Sequence, residues 1–270
     1  MVLLYIPPVQ NLLRREVTAY ASKATGMQIQ VERIDLRFPL NLLVRGVEVI
    51  QQPDTLLSLE SLNVRVQAWP LLKGKVEVDE VTLSQVAVNS ANLIEGMQIK
   101  GVLGRFFLQS HGVDLSNETA VVNRTELSDT HIQLLMTDTT TTPKDTTASA
   151  PVNWKVNLHQ LKLKNVSFGM KLPADSMKMA AYIGEATIDD AKADLKNQFY
   201  GLKQFLLSGA SASYDTGEAQ PSEGFDASHM AVRNIRIGLD SLLYEGRNMN
   251  AVIRLSLIHI SEPTRHSLIS

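Results

Sequence analysis

The chain has 270 residues and a net charge of −2. Its charged residues are scattered without a basic stripe, which argues against nucleic-acid binding. Hydrophobic content of 44% suits a globular protein and is too low for a polytopic membrane protein. The absence of cysteine removes disulfide scaffolds, thiolate metal sites and cysteine nucleophiles together, and it is compatible with an oxidising compartment.

Met1 to Ile6 is an apolar run that stops at Pro7-Pro8, far short of the roughly 20 residues a membrane-spanning helix needs. No charged region precedes it, so it is not a complete signal peptide. On its residues it reads as a buried N-terminal strand; the resemblance given below implies instead that residues 1–8 are the remnant of a membrane anchor. Val9 to Thr25 has helical spacing, with Leu12, Leu13, Val17, Tyr20, Ala21 and Ala24 on one face. Pro8 suits the first turn and Gly26 the C′ position. Such a helix, residues 9–26, either lies on a bilayer with Arg14 and Arg15 near headgroups, or caps the open end of a β-sheet. The width of its Leu/Ala face favours the cap.

A first β region is expected over 27–136. Ile29 and Val31, then Ile34, Leu36 and Phe38, alternate after a one-residue slip, and Pro39 breaks the run. A strand pair is expected around Arg45-Gly46, with a turn at Gln52-Pro53-Asp54-Thr55. The stretch from Leu57 to Asn92 reads as three strands. Leu62, Val64, Val66 and Ala68 alternate with Asn63, Arg65 and Gln67, which puts the apolar set on one face. Val76 and Val78 follow, then Val81, Leu83, Val86 and Val88. The parity shifts at Asp79-Glu80, which predicts a bulge or tight bend. Further short strands are expected at 97–99, 102–108, 113–115, 120–122 and 131–136. Residues 137–151, rich in threonine, lack all periodicity and read as a linker.

A second β region spans 152–254. Val156 and Leu158, Leu161 and Leu163, and Val166 and Phe168 resume the alternation, with Asn165 and Gly169 as punctuation. Asp189 to Leu195 reads as a helical turn or loop. Nothing between strands is long and periodic enough to be a crossover helix, which excludes a parallel α/β architecture.

The order of these elements resembles the N-terminal region of AsmA/TamB-type proteins, which are anchored in the inner membrane of bacteria with two membranes. The residues carrying the likeness are LLYIPPVQ, the segment TGMQIQVERIDLRFPLNLLVRGVEV, and the turn Trp69-Pro70-Leu71-Leu72 with the paired valine strands after it. The resemblance implies a mostly β fold, in which an N-terminal amphipathic helix leads into a repeated antiparallel β-sheet groove or solenoid, of β-taco type. It implies a periplasmic location and membrane-proximal roles for Leu3, Leu4, Tyr5, Ile6, Arg14 and Arg15. A TamA-like outer-membrane barrel would be met through a C-terminal part that this chain lacks. At the other end, LSLIHISEPTR (255–265) resembles the translated read-through of a transposase sequencing adapter. On that reading residues 255–270, with His259 and His266, are not native, and the chain is an N-terminal fragment.

No catalytic motif stands out. There is no G-x-S-x-G elbow, Gly-rich phosphate loop or H-E-x-x-H pair. His111, His131, His159 and His229 are far apart and read as surface residues. Asp79-Glu80 and Asp189-Asp190 read as solvated turns, because neighbours on a strand point to opposite faces. No enzyme activity, cofactor or metal is expected. Function is then expected on the apolar face. Leu62, Val64, Val66, Val76, Val78, Val81, Leu83, Val86 and Val88 are candidates to line a groove for phospholipid acyl chains. The resemblance implies either phospholipid movement toward the outer membrane or assembly of proteins into it. The alternative is a structural or adhesin-like β protein of the envelope.

Overall fold

The computed structural model describes residues 7–67, 77–91, 93–94, 96–114, 117–136, 153–217, 226, 228–246 and 248–254. One helix, α1 (Pro7–Thr25), precedes twelve strands. The strands are β1 (Gln28–Arg37), β2 (Asn41–Gln51), β3 (Asp54–Val66), β4 (Val78–Asn89), β5 (Met97–Asp114), β6 (Thr119–Met136), β7 (Lys155–Leu172), β8 (Met177–Asp194), β9 (Phe199–Leu202), β10 (Gln204–Thr216), β11 (His229–Glu245) and β12 (Asn248–Arg254). They form a single sheet in sequence order, with β9 inserted between β8 and β11 where β10 ends. Every pairing is antiparallel except β6 with β7, which run parallel. The expected repeat of antiparallel strands is therefore interrupted once. The Thr-rich segment separates the two strands of that parallel seam and lies outside the described residues.

Paired residues on neighbouring strands share a face, and alternate residues take opposite faces. Following the register gives one line across ten strands: Ile34, Val44, Leu62, Leu83, Phe106, Leu127, Leu163, Ala186, Leu207 and Ile237. The line two residues along reads Leu36, Leu42, Val64, Val81, Leu108, Thr125, Leu161, Ile188, Phe205 and Leu239. On the opposite face, Arg33, Arg45, Ser61, Ser84, Arg105, Ser128, Lys164, Glu185 and Ser208 align. One face is apolar from edge to edge, and the other is mainly polar, with Leu43, Phe107 and Leu206 among its charges.

Strict alternation does not hold along any long strand. Val44 and Val47, Leu83 and Val86, and Leu163 and Val166 are separated by two residues instead of one. The intervening pairs, Arg45-Gly46, Ser84-Gln85 and Lys164-Asn165, both belong to the polar side. The reset comes from a residue in the left-handed region: Gly46 at φ +58°, Gln85 at +50°, Asp129 at +51°, Asn165 at +53° and Gly209 at +63°. Such a residue bends the strand and shifts its alternation by one. These residues fall on one line across the sheet, opposite Glu32, Glu60, Gly104 and Gly184 on the intervening strands. Asn165 Nδ2 donates to Asp129 Oδ1 at 2.7 Å, which ties the line across the parallel seam. At Gly184 the strands approach closely, since a Cβ there would sit 3.1 Å from the Gly209 carbonyl oxygen.

These kinks correct several expectations. Residues 97–114, 119–136 and 155–172 are single strands of 18 residues each, not chains of short ones. Arg45-Gly46 is a kink within β2 rather than a turn between two strands. Asp189 to Asp194 is strand, with Asp190 at φ +50° as a second kink. The described residues of the 57–92 stretch form two strands, β3 and β4, with Val78, Val81 and Leu83 in one strand and a register shift at Asp79 as the parity predicted; 68–76 lie outside the described residues.

The helix lies against the outer edge of β1. Arg14 Nη1 donates to the carbonyl oxygen of Glu32 at 2.6 Å, and Ser22 Oγ accepts from the Ile29 amide at 3.0 Å. Tyr20, expected on the packed face, is 77% exposed. Among the described side chains the contact uses Arg14 and Ser22, because an edge strand offers unpaired N–H and C=O groups that polar side chains satisfy. The side chains of Leu12, Leu13 and Val17 lie outside the described residues. Helix α1 ends as its sequence predicts, with Gly26 at φ +70°.

A kink that needs a left-handed residue should discriminate by side chain. Asn165→Gly should leave stability within about 0.5 kcal/mol of the parent, whereas Asn165→Val should lower it by about 1–2 kcal/mol. The midpoint of urea unfolding measures both.

Candidate functional site

Of the nine residues expected to line an apolar surface, eight are described, and the register places all eight on the same face. Leu62 faces Leu83, Val64 faces Val81 and Val66 faces Val78 across the β3–β4 pair, with Leu59 opposite Val86 and Leu57 opposite Val88. Val76 lies outside the described residues, as do Leu3, Leu4, Tyr5 and Ile6. The kinks at Asp79 and Gln85 keep Val78, Val81 and Val86 together despite their odd spacing. Arg14 is held on the edge of β1, and Arg15 is exposed.

This face carries no second layer of described structure. Among the described residues no side chain is less than 2% exposed, and Leu62, Val64, Val66, Val78, Val81, Leu83 and Val86 are all half-buried. They are shielded by lateral neighbours in the sheet. Exposure rises toward one end of the strands. There Val88, Ile132 and Phe168 share a line and are 39%, 39% and 41% exposed. The next line holds Leu134, Met170, Met179, Tyr214 and Met230. Unbranched methionine side chains adapt to guests of varied shape better than the β-branched residues elsewhere on the face.

The surface is much larger than the stretch 62–88 singled out by sequence. Residues of β5 to β8, β10 and β11 contribute to the same lines. Their signal was present in Leu161, Leu163, Val166 and Phe168, but the residues between them read as turns, which hid the continuity.

The polar face is organised by short-range ion pairs. Arg65 meets Glu80 at 3.3 Å and Lys155 meets Asp194 at 3.3 Å. With their cationic ends in solvent, such pairs add little to stability and mainly commit this face to water. Asp79 and Glu80 are not a turn: Gln67 Nε2 donates to Asp79 and Arg65 pairs with Glu80, so a kink turns both carboxylates to the polar side. Asp189 and Asp190 do the same, meeting Gln160 and His159. The hydrogen bond from His159 holds the Asp190 carboxyl below the usual range, with Lys203 reinforcing it. His131 hydrogen-bonds Ser167 across the parallel seam at 2.6 Å. Among the described residues no three metal-ligating groups converge.

His229, expected to be a lone surface residue, is clasped between two aspartates. Its Nδ1 lies 2.8 Å from Asp226 Oδ2 and its Nε2 lies 3.1 Å from Asp215 Oδ1. The Asp226 hydrogen bond raises its pKa above the ordinary 6.5, and Asp226 is lowered below 3.8, chiefly by the Ser228 amide.

Neither protein-family models nor curated proteins match this sequence.

The clasp fixes a sign. A raised histidine stabilises fully below its unfolded value of 6.5 and stops doing so as pH climbs through the folded value. The lowered Asp226 contributes above 3.8 and fades as pH falls through its folded value. In an NMR titration His229 should therefore titrate above 6.5, and Asp226→Asn should bring the midpoint back toward 6.5.

Proposed function

We propose that the apolar face is the inner wall of a groove that receives the acyl chains of phospholipids while their headgroups stay in water. The observation that carries this reading is a continuous apolar surface, ten strands wide, that is half-exposed and has no described layer packed over it. A monomeric soluble protein rarely leaves a contiguous apolar surface of this extent uncovered. Each buried methylene contributes about 0.8 kcal/mol, so a handful of neighbouring lines can offset the withdrawal of a chain from a bilayer. The polar outer face keeps the same strands soluble. Tethered through an N-terminal anchor to the inner membrane of a diderm bacterium, such a wall would give lipids a low-energy path through the periplasm toward the outer membrane.

The reading is tested by photocrosslinking in cells. A probe at Val64 or Val78 should yield lipid adducts, and one at Arg65, on the opposite face, should not; equal labelling would overturn the reading. Phe168→Asp, at an exposed position, should weaken binding of a fluorescent phospholipid roughly tenfold, as expected for the loss of about 1.4 kcal/mol of apolar contact.

A further inference from the structure

The polar face carries a second feature at the end of the strands where the methionines of the apolar line lie. Along the β7–β8 ladder Lys155 faces Asp194 and Lys164 faces Glu185, while Lys162 and Lys192 face the neutral Thr187 and Asn157. At the end of the ladder two ammonium groups meet, Lys171 opposite Lys178. Like charges directly opposite one another destabilise a sheet. On its other side Lys178 faces Asp215, but that carboxylate is engaged by His229 Nε2 at 3.1 Å. Among the described residues neither lysine has an ion-pair partner. Lys100, in the adjoining line, has none either.

The three lysines line one concavity of about 770 Å³. Gly169 and Ala180 leave space between the lysines, Gln98, Gln133 and Ser213 add neutral hydrogen-bonding groups, and Met170, Met179 and Met230 of the apolar line border the same concavity. Its volume is in the range of small-ligand sites. We infer that this end of the polar face binds a phosphoryl anion, held by Lys171 and Lys178 with Lys100 beside them. A phosphoryl group fits better than a carboxylate. Its three oxygens can accept from both ammonium groups and from an amide or hydroxyl together, and lysine suits it as a point charge. The anion supplies a counter-charge where two ammonium groups face each other. His229, bridging Asp215 and Asp226 at 3.1 and 2.8 Å, engages both carboxylates away from the anion.

The test uses the full chain, with inorganic phosphate as one probe and vesicles of phosphatidylcholine, with or without phosphatidylglycerol, as the other. Inorganic phosphate should raise the melting temperature of the parent, and Lys171→Gln/Lys178→Gln should weaken its binding at least about tenfold. Without phosphate the double variant should melt no lower than the parent, because a repulsion has been removed. Lys192→Gln, elsewhere on the same ladder, should bind phosphate like the parent. Lysine-dependent binding to the anionic vesicles alone would assign the phosphoryl group to a lipid headgroup; binding to inorganic phosphate would assign it to a free anion. If neither probe distinguishes the double variant from the parent, the inference fails. Loss of phospholipid crosslinking at Val64 with phosphate binding intact would instead overturn only the acyl-chain reading.

Discussion

The whole sheet depends on keeping its oily side chains on one side over strands of 18 residues. A regular strand of that length, about 60 Å at 3.3 Å per residue, would twist steadily, and any departure from period two would turn leucines to water. The left-handed residues remove that conflict. Gly46, Gln85, Asp129, Asn165 and Gly209 let five of the strands bend and restart their alternation at a common line. The cost is local and small for Gly and Asn, the residue types that tolerate this conformation best. Because neighbouring strands bend together, pairing continues on both sides of the line.

That arrangement explains why the chain has so little conventional core. Buried apolar residues among those described are few and mostly small or edge-proximal, such as Ala186, Ala210, Ala120 and Ile34. Cohesion comes from backbone ladders and from lateral contact between lines such as Leu83–Phe106–Leu127–Leu163. A sheet of this kind does not need a second layer to hold its shape. It does need something to satisfy its apolar side, and a guest bound there would serve both the guest and the sheet.

Much of this could be read from the sequence. The slip after Val31, the break at Pro39, the Gly26 terminus and the shared face of Leu62, Val64, Val81 and Leu83 all follow from period and turn chemistry. What misled was chemical ambiguity, because glycine, asparagine and aspartate mark a kink within a strand as readily as a turn between strands. Asn165 punctuates β7 without ending it, and Asp189-Asp190 interrupts β8 in the same manner. The parallel seam was beyond reach for a different reason. Pairing Leu127 with Leu163 is a long-range choice, and nothing local in either strand encodes its direction. The polar docking of α1 was hidden because helical periodicity reports an apolar stripe and is silent on what an unpaired strand edge requires.

The seat of α1 on β1 also gives the assembly a direction. With Arg14 and Ser22 occupying backbone groups of the first strand, that flank is closed to further strands, as a stopper closes one end of a tube. Among the described residues, the opposite edge of the sheet is β12, and no described element covers it. The two flanks thus differ in kind, one engaged by polar side chains of a helix and the other offering backbone groups to a neighbour.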